Sequence, residues 1–141
     1  MTVRARRGGT VAAYVWDYAE GMELMRIFWD TAVTLDSAAR AFDEGVRFPV
    51  CQPDSLRAYF RGVGLCEVEV RPIVVPTVLR NFDDYWTPFL SRQGPAPRYV
   101  MSLSPTRRAQ LRTRLRQRLA TSPDGTIPLS ARAWAVKGTA P

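Results

Sequence analysis

Histidine is absent from this chain, and that gap closes off several chemistries at once. Without imidazole there is no Ser-His-Asp or Cys-His catalysis, so Asp, Glu, Tyr and Cys are left as proton-transfer groups near neutral pH. Cysteine is nearly as scarce. Cys51 and Cys66 form no CxxC pair, a structural zinc site would lack ligands, and both read as free thiols. No run approaches the roughly 20 consecutive apolar residues of a membrane-spanning helix. The basic first nine residues precede no apolar signal core, so the chain reads as cytoplasmic, with no membrane partner. Lysine occurs once, at Lys137.

What is present is ordinary for a globular domain. The 141 residues are 46% hydrophobic and 23% charged, a composition that argues against wholesale disorder and excludes neither an enzyme nor a binding module. The length is that of a single domain. Net charge is +7, but the excess is local. Arg107, Arg108, Arg112, Arg114, Arg116 and Arg118 stand in one segment without an acid, and without those six the chain is left at +1. A basic stripe of this kind can lie along phosphates. The plainer reading is the solvated face of an amphipathic helix, and nucleic acid is disfavoured.

The periodicities alternate between strand and helix. Thr10 to Trp16 (TVAAYVW) is almost unbroken apolar sequence after Gly8 and Gly9, the pattern of a central strand covered on both faces in a parallel sheet. Met22, Met25, Phe28, Trp29, Ala32 and Val33 share one helical face. Residues 37–51 are mixed, a short helix followed by a loop. Asp54 can cap a helix whose buried stripe is Leu56, Tyr59, Phe60 and Val63, ended by Gly62 or Gly64. Residues 67–75 alternate as a strand with one wetter face, and Pro72 puts it near an edge or bulge. Residues 81–89 read as a polar and aromatic loop or short helix, and 93–97 (QGPAP) as a break. Ser104 and Pro105 start a helix with Leu111, Leu115 and Leu119 on one stripe. A turn over 122–125 leads to a last strand over 127–136, ending at Lys137 and Gly138. The order is α/β.

Three pieces of this order resemble a known family: Gly8-Gly9 before an apolar strand, the helix that passes through Val63-Gly64-Leu65 into Val68-Glu69-Val70, and the closing Ala133-Trp134-Ala135-Val136. Together they are similar to the C-terminal half of the small-molecule class I S-adenosylmethionine-dependent methyltransferases. In that family a PGG turn introduces the fifth strand, a helix ending in GF or GL leads into the sixth, and an antiparallel seventh strand closes the sheet. Arg7 stands where the family usually has proline.

The resemblance implies a single truncated methyltransferase-like domain over 1–141, part of a Rossmann-like sheet, with 80–125 as a loop and basic-helix insertion. It implies S-adenosylmethionine as cofactor of the complete fold. The family's glycine-rich loop and the acid ending its second strand are not in these residues, however, so none is expected to bind this chain alone. Gly8-Gly9 is no substitute, because it precedes a strand instead of opening a helix. The resemblance also places the fifth strand between the fourth and the seventh. The strand over 10–16 is then expected to have a bare edge, inviting self-association or a separate N-terminal methyltransferase half. The isolated chain is expected to be inactive. The alternative is a non-catalytic dimeric binding or scaffold protein that reuses the half-fold, with nucleic-acid binding through the arginine helix ranked behind it.

Candidate site residues fall in two groups. Ligands in open α/β sheets lie beyond the carboxyl ends of strands, which puts Trp16, Asp17 and Tyr18 at the rim of a pocket for a small-molecule methyl acceptor. Their plainer reading is two core aromatics and a turn acid. Phe82, Tyr85 and Trp86, with Asp83, Asp84 and Phe89 around them, suit a lid over an apolar acceptor or a plug beneath a loop. No catalytic or metal-ligating residue is expected.

Overall fold

The computed structural model describes residues 5–91 and 93–141, so the first four residues of the basic N-terminal segment lie outside the described part. The element order is β1 (Thr10–Trp16), α1 (Glu23–Leu35), α2 (Glu44–Arg47), α3 (Pro53–Gly62), β2 (Cys66–Leu79), α4 (Phe82–Trp86), α5 (Pro95–Ser102), α6 (Pro105–Arg118) and β3 (Ile127–Thr139). Short 3-10 turns occupy Ser37–Phe42, Pro49–Cys51 and Thr87–Leu90. The protein is an α/β fold.

Its sheet has three strands in the order β1-β3-β2, and β3 is antiparallel to both neighbours. β1 and β2 therefore run parallel to each other without pairing. This corrects the expectation of a central strand: among the described residues β1 is an edge strand, paired only with β3, and Tyr14 on it is 70% exposed. Val11 and Val15 are half-buried against the core under α3, whereas Tyr14 on the opposite face stands in solvent. β2 is the opposite edge. Pro72 and Pro76 both sit in it, four residues apart and so on the same side of a two-residue repeat. The β2–β3 ladder runs unbroken from Glu69 to Leu79 past both prolines, whose missing N–H groups therefore belong to the outer edge. A bulge between Cys66 and Glu69 starts the strand, with Glu67 at φ 50°. Gly138 lies opposite, where a Cβ would come within 3.0 Å of the Leu65 side chain.

Two cores hold the layers together. The larger joins Phe28, Trp29 and Ala32 of α1 to Phe82, Tyr85, Trp86, Phe89, Tyr99, Val100, Leu111, Leu115 and Leu119, closing over Ile127 at the start of β3. The smaller sets Leu56 and Phe60 of α3 on Val136, with Val11, Val15, Val70 and Trp134 around them. On the other face of the sheet, Ala12, Tyr14, Ile73 and Ala135 line an open concavity of about 360 Å³, rimmed by Glu69, Arg71 and Lys137.

Several local expectations change for identifiable reasons. Ser104 caps α6 by accepting from the Arg107 N–H at 3.3 Å, as its sequence suggests. Asp54 does not cap α3. The helix begins a residue earlier, at Pro53, which needs no hydrogen bond there, and Asp54 falls in the first turn. The break over 93–97 ends inside a helix, because Pro95 is the first residue of α5. The segment 80–125 thus holds three helices.

Candidate functional site

At the carboxyl end of β1 the chain turns sharply into α1, and Asp17 fastens that turn. Its residue is 2% exposed. One carboxylate oxygen accepts from the Glu20 N–H at 3.0 Å, and the other takes Arg132 Nε at 2.7 Å and an Arg132 Nη at 2.6 Å. The Asp17 N–H donates to the Arg132 carbonyl, and the Asp17 carbonyl accepts from Gly21 and Met22. A buried carboxylate is tolerable only when paired and hydrogen-bonded. Asp17 meets that condition with β3, so it ties the turn to the sheet. Trp16 beside it keeps 39% of its surface exposed and Tyr18 is half-buried.

Behind this turn lies a cluster that sequence reasoning missed. Arg26 of α1 donates to both oxygens of buried Asp43, at 2.8 and 2.6 Å, and to the Tyr18 carbonyl at 2.8 Å. Buried Glu44 accepts from the Trp29 indole N–H at 2.6 Å. Burial raises the pKa of Glu44, of the Cys51 thiol and of the Tyr18 phenol, and the charge on Glu44 adds to the last of these. Gly45 is required here, since a Cβ would meet the Tyr18 carbonyl at 2.6 Å and an Arg26 Nη at 2.7 Å. Arg26, Arg40, Asp43, Glu20 and Asp30 border a polar concavity of about 600 Å³. Such a rim can hydrogen-bond a polar small molecule. The only sequence signal was the acids and arginines of 37–51, which follow no helical or strand period. Among the described residues no group of His, Cys, Asp and Glu is placed to hold a metal ion.

The second candidate group is in the larger core. Tyr85 is fully buried and its hydroxyl donates to the Leu24 carbonyl at 2.9 Å; burial raises its pKa strongly. Phe82 stacks near Tyr85 at 6.1 Å, and Trp86 and Phe89 lie 6.2 Å apart. Among the described residues no hydrogen bond or ring contact links Phe82, Tyr85 or Trp86 to Trp16, Asp17 or Tyr18. The two groups therefore lie apart: Asp17 pairs with Arg132 at the end of β1, and Phe82, Tyr85 and Trp86 are buried in the larger core.

Four of the six arginines of α6 have local partners. Arg108 donates to the Val100 and Leu103 carbonyls at 3.2 Å, satisfying the end of α5. Arg112 pairs with Asp83 at 3.2 Å, Arg116 lies 4.4 Å over the Phe82 ring, and Arg118 reaches Thr31. No helix among the described residues is long and apolar enough to cross a membrane. No protein-family model matches the sequence, and no curated protein matches it.

Proposed function

We propose that this chain is the acceptor-side half of a class I S-adenosylmethionine-dependent methyltransferase sheet, and that the outer edge of β1 receives a strand from a separate N-terminal half. The observation that carries the reading is the strand order: β1 lies beside the antiparallel β3, and among the described residues no strand pairs with its other flank. That is the neighbourhood the resemblance implies for a fifth strand parted from its fourth. Two turns agree with it. Gly8 (φ 74°) and Gly9, whose N–H donates to the Arg6 carbonyl at 2.7 Å, turn the chain into β1, and Gly64 (φ 87°) turns it from α3 towards β2. The acceptor-facing surface is assigned to the end of β1, where Trp16 and Tyr18 flank Asp17 and the Arg26 concavity opens.

S-adenosylmethionine does not fit the described residues. The β1-to-α1 turn contains Gly21, but a Cβ there would strike Arg132 Nε at 2.7 Å and the Asp17 carboxylate at 2.9 Å. This glycine makes room for the Arg132 and Asp17 side chains that pack on the turn. The β2-to-α4 turn, Arg80-Asn81, has no glycine. No methyl-transfer step is assigned to this chain.

The test is co-expression with the product of the coding sequence immediately upstream, followed by calorimetry with S-adenosylmethionine. The joined chains are expected to bind the cofactor and this chain alone is not. Micromolar binding by this chain alone, or none by the pair, overturns the proposal.

A further inference from the structure

Edge strands usually carry a charge, a proline or a bulge that stops another strand from adding to them. β2 carries all three, in Glu69 and Arg71, Pro72 and Pro76, and the bulge at its start. β1 carries none: Thr10 to Trp16 is uncharged, without proline, and in unbroken register with β3. The direction of its free backbone groups follows from its ends. The Ala140 N–H donates to the Gly9 carbonyl and the Asp17 N–H to the Arg132 carbonyl, both at 2.9 Å, so odd-numbered residues face β3. By alternation, the backbone groups of Thr10, Ala12, Tyr14 and Trp16 point to the open edge.

We propose that, in the chain by itself, where no N-terminal half occupies it, this edge pairs with the same edge of a second copy, antiparallel and centred on Ala13, joining the two three-stranded sheets into one. The inference concerns the edge used above but stands without the methyltransferase reading. Centring on Ala13 sets Thr10 opposite Trp16 and Ala12 opposite Tyr14 of the other copy, so every outward backbone group meets an outward group. The same register places each bulky side chain of the open face beside a small one, a favourable cross-strand pairing. The flanks are complementary in charge. Exposed Arg6 and Arg7 precede the strand and Glu20, 77% exposed although it meets Arg132 at 3.4 Å, follows it, and antiparallel pairing brings one end of each copy beside the other end of its mate. Like charges are nowhere opposed within the strand. Because the prolines close the β2 edge, the contact is isologous and ends at two copies without growing into a fibre.

Light scattering after gel filtration of the full chain is expected to give twice 15.9 kDa at high concentration. Ala12→Pro removes an outward N–H and leaves the β1–β3 ladder intact; it is expected to halve that mass without changing the far-ultraviolet circular dichroism. A second variant does not depend on that fold surviving. In a Cys66→Ala background, Ala13→Cys faces its own copy in a non-hydrogen-bonded pair, where Cα atoms lie about 4.5 Å apart, inside the range of about 4.4–6.8 Å that a disulfide spans. Mild oxidation is expected to cross-link most of the Ala13→Cys protein and little of an Ala12→Cys control. A wild-type mass of 15.9 kDa at every concentration, or equal cross-linking of the two cysteine variants, overturns the pairing. Either result would leave the methyltransferase reading to its own calorimetric test.

Discussion

Replacing Asp17 by alanine tests whether the β1-to-α1 turn is held to the sheet by electrostatics. The change removes the acceptor of three donors, the Glu20 N–H at 3.0 Å and two Arg132 nitrogens at 2.7 and 2.6 Å. Breaking a buried pair by deleting one partner costs about 3–5 kcal/mol. Arg132 keeps 29% of its side chain in solvent and can be rehydrated, which puts the cost near the low end, about 3 kcal/mol. At roughly 3 °C per kcal/mol for a chain of this size, Tm should fall by roughly 10 °C. Glu69→Ala is the comparison. It deletes the partner of Arg71 at 3.2 Å and Lys137 at 3.5 Å, all on the open face, and such exposed bridges contribute at most about 1 kcal/mol. Thermal and urea unfolding followed by circular dichroism, at one protein concentration so that association does not enter, measures both. If the two variants lose the same stability within about 0.5 kcal/mol, the tie assigned to Asp17 is wrong.

Three further outcomes are expected. Burial raises the pKa of Glu44, against hydrogen bonds from its own backbone and the Trp29 indole, so the folded state holds that proton more tightly than the unfolded one. Its contribution is present below the ordinary value of 4.5 and is lost as pH rises through the folded value, so Glu44→Gln should match the wild type near pH 4 and exceed it at pH 7; a difference in Tm that stays flat with pH refutes this. Tyr85→Phe removes the second donor to the Leu24 carbonyl, which keeps its helical partner within α1, and should cost about 1 kcal/mol in urea unfolding, against no loss if that hydroxyl were idle. In thiol titration at pH 8, exposed Cys66 should react first and buried Cys51 only with denaturant, since burial raises its pKa and lowers its thiolate fraction; equal rates would contradict the burial.

The elements that could be read in the sequence were those whose signals come from neighbours in the chain. The α6 helix announces itself through Ser104, Pro105 and the leucines at 111, 115 and 119, and each plays the role its position suggests. The α5 helix was illegible for a related reason: Gly94, Pro95 and Pro97 resemble a break until Pro95 is seen as a first helical residue. β1 was identified as a strand but misplaced in the sheet. An apolar run reports the cover it needs, and Tyr14 at 70% exposure does not receive that cover from this chain. At the site, Asp17 was found and its partner was not, because Arg132 is 115 residues away. The Arg26, Asp43 and Glu44 cluster was hidden in a segment without periodicity, where the acids are buried by tertiary packing that local pattern does not encode.

β3 follows β1 and β2 in the chain and is the strand that each of them requires, since they do not pair with one another. Thr10 must wait for Thr139 before its ladder can close. Until β3 emerges, two ribbons are therefore held unpaired, and unpaired strand edges of this kind favour aggregation. A nonsense mutation before Ile127 would delete one strand from the polypeptide and abolish the whole sheet.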